Sequence, residues 1–197
     1  MKPFPHSSLE ETIHQRRTVK PRDFSGETIP QAEIQALLEA ANWAPTHGYT
    51  EPWRFVVFTG SALARLGTFL AQQDQPDPAA DNFNAVRYQK LASRPTQASH
   101  VIGIGAHLGE NPKIPEQEEL SAVAMAVQNI WLTAHARGLA GYWSSGALAY
   151  TEATRRFLGL AEGDRSLGFF YLGYPAKEPP RGRRLSGIDD KVTWHYE

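Results

Sequence analysis

Three cations and a hydroxyl stand within five residues at Arg16-Arg17-Thr18-Val19-Lys20. A guanidinium keeps its charge at any working pH and presents fixed N–H donors, so such a group can grip a phosphate or another anion. A second basic group, Arg181, Arg183 and Arg184, lies near the C-terminus among prolines and glycine. It can join the first group around one phosphate or simply keep the tail soluble, and spacing along the chain does not decide which. Taken alone, a basic cluster is more often solvated surface than a site. Both groups are short, flanked by acids and without interleaved aromatics, which argues against nucleic acid as the partner.

Two further segments concentrate polar groups. Ala44-Pro45-Thr46-His47-Gly48-Tyr49-Thr50-Glu51-Pro52-Trp53 ends one helix and enters a strand while carrying an imidazole, a carboxylate and hydroxyls. It reads equally well as an ordinary connection anchored by Trp43 and Trp53 and as a contact loop. Gly141-Tyr142-Trp143-Ser144-Ser145-Gly146 reads as a glycine-rich turn whose amides and hydroxyls suit a flat heterocycle. It lacks the Gly-x-Ser-x-Gly spacing of a nucleophile elbow, so a serine hydrolase is not expected. Gly103, Gly105 and Gly109 follow an apolar run, but Glu110-Asn111-Pro112-Lys113 reads as a loop where a dinucleotide site needs a helix N-terminus. The seven histidines show no ligand spacing, and no metal is expected.

The elements that must position these groups read as alternating helices and strands. Ile34, Leu37, Leu38 and Ala41 predict an amphipathic helix over 30–43, and 53–58 reads as a buried strand closed by Gly60. A helix follows over Leu63, Leu66 and Leu70, then an exposed loop over 74–81 that is a candidate lid, then a short helix over 83–91. Residues 100–105 form a central strand. The strongest periodicity runs over 116–137, where Leu120, Val123, Ala124, Val127, Ile130, Trp131 and Ala134 make an apolar face wide enough to predict a role in a subunit contact. A short helix between Thr151 and Gly159 and a strand over 167–172 complete the core. With 197 residues, 41% of them hydrophobic, no repeat and no composition break, one domain over 1–197 is expected. A net charge of −1 gives no global basic field. The absence of cysteine removes thiolate chemistry, makes a cytoplasmic chain the simplest reading and requires a bound cofactor for any redox role. No apolar stretch reaches membrane-spanning length, and residues 1–11 carry no apolar leader.

In this order, Arg-Arg-Thr-x-Lys, the Ala-Pro-x-His loop ending in Pro-Trp-Arg-Phe, Gly-Leu-x-Gly-Tyr-Trp and the Leu-Gly-Tyr-Pro before a basic tail resemble the FMN-dependent nitroreductase family over nearly the whole chain. The resemblance implies an α+β, three-layer fold with a mixed sheet flanked by helices, and a homodimer in which the C-terminal segment extends onto the partner subunit. It implies FMN held at the phosphate by Arg16, Arg17 and Thr18, with Arg183 and Arg184 closing on it. Lys20 would stand by the pyrimidine edge, where a cation favours the reduced ring. Trp143, Ser144 and Ser145 would face the isoalloxazine, and His47 and Glu51 would come from the partner. Many relatives carry Asn within the stretch Gly48 to Thr50 and Gln at Glu51, so this chain departs from the family in that loop.

The implied activity is ping-pong reduction of small electron-poor acceptors, such as nitroaromatics, quinones and flavins, by NADH or NADPH. The cofactor carries the chemistry, so no protein acid, base or nucleophile is assigned. The same anchoring residues would also serve a flavin store or sensor without turnover. A third reading, oxygen-dependent or dehalogenating chemistry with reduced FMN, fits a longer chain with added lid elements better than this one.

Overall fold

The computed structural model describes residues 6–109, 111 and 113–197. Residues 1–5, Glu110 and Pro112, parts of the terminal and loop readings above, lie outside them. Helix α1 (His6–Gln15) opens the described chain. It is followed by α2 (Gln31–Asn42), β1 (Trp53–Thr59), α3 (Ser61–Asp74), α4 (Ala85–Ser93) and β2 (His100–Ala106). Helix α5 (Glu116–Ala136), β3 (Ala140–Ser144), α6 (Glu152–Phe157) and β4 (Arg165–Gly173) complete the order. The four strands lie in the order β1-β2-β4-β3 and pair antiparallel throughout. The parallel component of the sheet is the single bridge from Thr18 to Gly141.

Helices cover both faces of this sheet, which is why β2 is buried at every residue. On one face α2 and α5 pack Leu37, Val123, Val127 and Ile130 against Ile102, Ile104 and Phe170. On the other, α3 and the segment after α6 pack Leu66, Leu70 and Leu158 against Val101, Phe169 and Tyr171. Gly103 and Gly105 therefore belong to packing and not to a dinucleotide motif. A Cβ on either would come within 2.4 or 2.6 Å of the Leu158 or Leu160 side chain.

Two expectations need correction. The segment from Gly141 is a strand and not a turn, because glycine there makes room for the Phe170 ring, whose Cζ lies 2.5 Å from where a Cβ would stand. The apolar face of α5 is largely covered within the protomer by α2 and the sheet, which leaves Met125 as its exposed large apolar side chain. Its width is thus no argument for a subunit contact. Unpartnered apolar surface lies instead in the tail, where every residue over 180–197 is exposed, Leu185 and Trp194 among them.

One buried titratable group in the sheet makes stability depend on pH. The Ser99 hydroxyl accepts from the Ile29 amide at 2.7 Å and shares a hydrogen bond with His100 Nδ1 at 2.9 Å, which holds the buried imidazole beside the sheet. Burial lowers the His100 pKa from its ordinary value near 6.5. As pH falls through about 6.5 the unfolded chain takes up this proton before the folded chain does, so stability is full above that value and declines below it. His100→Gln should flatten the decline of the urea midpoint between about pH 7 and pH 5, and an unchanged slope would remove His100 from the account.

Candidate functional site

The N-terminal and C-terminal basic groups meet. After α1 the chain turns so that the Arg16 guanidinium lies 4.3 Å over the Trp131 ring, a cation–π contact worth roughly 1–2 kcal/mol when partly desolvated. Arg17 donates through Nη1 to the Arg16 carbonyl at 2.7 Å and packs its guanidinium against the backbone of Gly182. A Cβ at residue 182 would fall 2.2 Å from Arg17 Cζ, so a side chain there would displace the guanidinium from this packing. Arg17, Arg183 and Arg184 line one cavity of about 540 Å³, together with His14 and Lys191.

Arg16 Nη1 and Arg17 Nε are buried, and neither has an acceptor among the described residues. Burial first, then the charges of Arg17 and Arg184, lower the Arg16 pKa. Buried charged donors without partners are costly, and an anion seated among them would remove that cost. His135 reports on the same field, since burial first, then Arg16 and Arg17, lower its pKa. Inorganic phosphate bound there should therefore raise the His135 titration midpoint, followed by its ring proton resonances in NMR. A midpoint indifferent to phosphate would count against an anion site.

From this cluster the chain runs beside β3. The bridge from Thr18 to Gly141 and the bond from the Val19 amide to the Gly141 carbonyl at 3.1 Å fix the register, and the parallel sense carries Lys20 in the direction of Trp143. At the far end of β3 a bulge in β4 sets the wall. Leu167 is left without a partner on β2, and its carbonyl accepts from Trp143 Nε1 at 2.9 Å. Ser144 and Gly146 then border a cavity of about 470 Å³ floored by Leu70, Phe169 and Tyr171 and walled by Arg87, Lys90 and Arg94. Ser145 is exposed beside it.

His47 and Glu51 stand elsewhere. His47 Nδ1 forms a short bond with Glu118 in the first turn of α5, and Thr50 donates to the buried Glu119 at 2.7 Å. Tyr49 and Glu51 hold positive φ of 57° and 45° in this loop, an uncommon backbone for residues other than glycine. Arg54 donates to the backbone carbonyls of Glu51 and Trp53 at 3.0 and 2.9 Å. From Glu118 to Trp131 the helix rises about 20 Å, so within one chain His47 does not reach the arginine cluster.

The order of these parts along the chain is that of a known family, whose model, the Nitroreductase family, matches residues 13–174. The chain belongs to the Nitroreductase family. As a member of the Nitroreductase family it is an oxidoreductase, and its α+β fold is the family's. It is similar to "Putative NAD(P)H nitroreductase YdjA" of Escherichia coli (strain K12), with 33% identity over 150 residues, 76% of this chain and 80% of that one. It is also similar to "Putative NAD(P)H nitroreductase YfhC" of Bacillus subtilis (strain 168), with 29% identity over 191 residues, 95% and 94% of the two chains. The crystal structure of a nitroreductase-like family protein from Bacillus cereus superposes with a TM-score of 0.83 at 26% identity, covering 100% of both chains. The family match ends before Arg183 and Arg184, whose place in the site rests on geometry alone.

Sequence reasoning missed two features. Trp131 belongs by its spacing to the apolar face of α5, yet it is the platform beneath Arg16. Arg87, Lys90 and Arg94 form no dense local cluster, but their helical spacing puts them on one face of α4 and the turn after it.

Proposed function

We propose that this nitroreductase family member binds FMN and uses NADH or NADPH to reduce small electron-poor acceptors such as nitroaromatics, quinones and flavins. The observation that carries the reading is the pair of buried guanidinium nitrogens, Arg16 Nη1 and Arg17 Nε, without an acceptor among the described residues where the two basic groups meet. These donors fit a terminal phosphate. The reduced nicotinamide in the names of the two curated relatives supports the choice of donor.

In this reading Arg16, Arg17 and Thr18 hold the phosphate and Arg183 and Arg184 close over it. Bound there, FMN supplies hydride acceptance from the reduced nicotinamide and hydride delivery to the acceptor, in ping-pong order. Lys20 places a positive charge at the pyrimidine edge, and Trp143, Ser144 and Ser145 orient the ring along β3. His47 and Glu51 of a second copy complete the ring's surroundings, because the same residues of one chain lie about 20 Å away along α5. The exposed apolar side chains of the tail, Trp194 and Tyr196 among them, support a homodimer in which the C-terminal segment extends onto the partner.

The test is the visible spectrum of the purified protein and its bleaching by NADH or NADPH without oxygen. A colourless protein that cannot be reconstituted with FMN defeats the reading, and a yellow protein that never oxidises nicotinamide reduces it to flavin storage. Glu51 gives a finer test. No cation bonds its carboxylate among the described residues, since Arg54 donates to carbonyls. Its charge should disfavour the electron-rich reduced ring, so Glu51→Gln should raise the two-electron midpoint potential by on the order of 10–30 mV, limited by solvent screening. An unchanged potential would take Glu51 away from the ring.

A further inference from the structure

The cavity bordered by Ser144 carries more positive charge than its own side chains balance. Arg87 pairs with Asp74 at 2.5 Å. Lys90 and Arg94 line the same space and form no ion pair among the described residues. Phe169 and Tyr171, both buried, line the same space. A volume of about 470 Å³ between an aromatic floor and two unbalanced cations suits a flat ring with a negative charge at its edge.

We propose that this cavity selects aromatic acceptors bearing a carboxylate, with Lys90 as the residue that sets the preference. The proposal rests on the oxidoreductase reading above. A neutral ring gains only the apolar floor, whereas an aromatic carboxylate also gains a charge-assisted hydrogen bond from the Lys90 ammonium. The reaction itself is unchanged by that contact. For a nitroaromatic acid, NADH gives a hydride and the solvent a proton, one N–O bond breaks, and the products are the nitroso acid, NAD+ and water.

4-Nitrobenzoate and 4-nitrobenzamide differ little in size, and the amide is the more easily reduced ring, so a preference for the benzoate reads its charge. The holoenzyme should show a higher kcat/KM for the benzoate. Lys90→Gln should lower that value roughly tenfold through KM and leave the benzamide value and the anaerobic NADH half-reaction as they were. Lys90→Arg should keep the preference. Calorimetric binding of 4-hydroxybenzoate, which is not reduced, should weaken by the same factor in Lys90→Gln.

Equal use of both acceptors by the wild-type holoenzyme would overturn the proposal and leave the flavin reading standing. So would an equal loss for both acceptors in Lys90→Gln. A loss confined to the NADPH half-reaction would also overturn it, by assigning the cation to a donor phosphate. A protein that holds no flavin and oxidises no nicotinamide would overturn both readings.

Discussion

Arg17→Ala should weaken FMN binding by about 10- to 100-fold while leaving riboflavin binding where it was. The two ligands share the ring and the ribityl chain and differ in the phosphate, so their affinity ratio reads the phosphate contacts alone. A hydrogen bond to a charged group contributes about 1.5–3 kcal/mol, which is the source of the expected range. Arg17 is the better target than Arg16. Arg16 also stacks on Trp131, and its removal would expose that ring as well as a charge site. Arg17 instead packs on Gly182, so its loss also loosens the tail that brings Arg183 and Arg184 to the cavity. Arg183→Ala and Arg184→Ala should each reproduce part of the effect. Fluorescence titration of the apoprotein with both ligands checks this, and a parallel loss of riboflavin affinity would show that the variant disturbs the ring pocket instead of the phosphate.

The same residues show what a sequence can and cannot reveal. Arg16, Arg17 and Lys20 announce themselves by charge density, and α5 by a 3.6-residue period sustained over 21 residues. The apolar runs of β1, β2 and β4 were equally plain. Strand β3 was not, because Gly141 signals a turn locally and only the Phe170 ring, on the neighbouring strand, shows why glycine is needed. Helix α1 went unread because Leu9 and Ile13 stay exposed, so it buries too little to leave a clear apolar stripe. The meeting of Arg17 with Gly182 joins two ends of the chain, and no local pattern encodes it. The separation of His47 from the arginines likewise depends on which ends of α5 the two groups occupy.

The bulge opposite Ile104 is where fold and site depend on one residue. Gly168 has φ of 100°, a conformation that side chains rarely adopt, and a Cβ there would stand 2.2 Å from the Ser144 carbonyl oxygen. The Ser144 oxygen belongs to backbone held in the sheet and a Cβ is fixed in direction by the backbone it sits on, so neither can turn aside as the end of a long side chain would. Gly168→Ala should cost about 3–5 kcal/mol, the sum of backbone strain and the forced separation of β4 from the end of β3. For a chain of this size that corresponds to a melting midpoint lower by roughly 10 °C. Because Ser144 is among the residues proposed to orient the ring and the adjacent Trp143 is tied to the bulged Leu167 carbonyl, the surviving folded protein should also lose flavin. Gly159→Ala supplies the comparison, since its φ is 68° but nothing lies within 4 Å of the added methyl, so it should cost only about 1 kcal/mol of backbone strain. Equal stability losses in the two variants would mean that the Ser144 contact contributes nothing, and would remove the bulge from the account of how the sheet shapes the site.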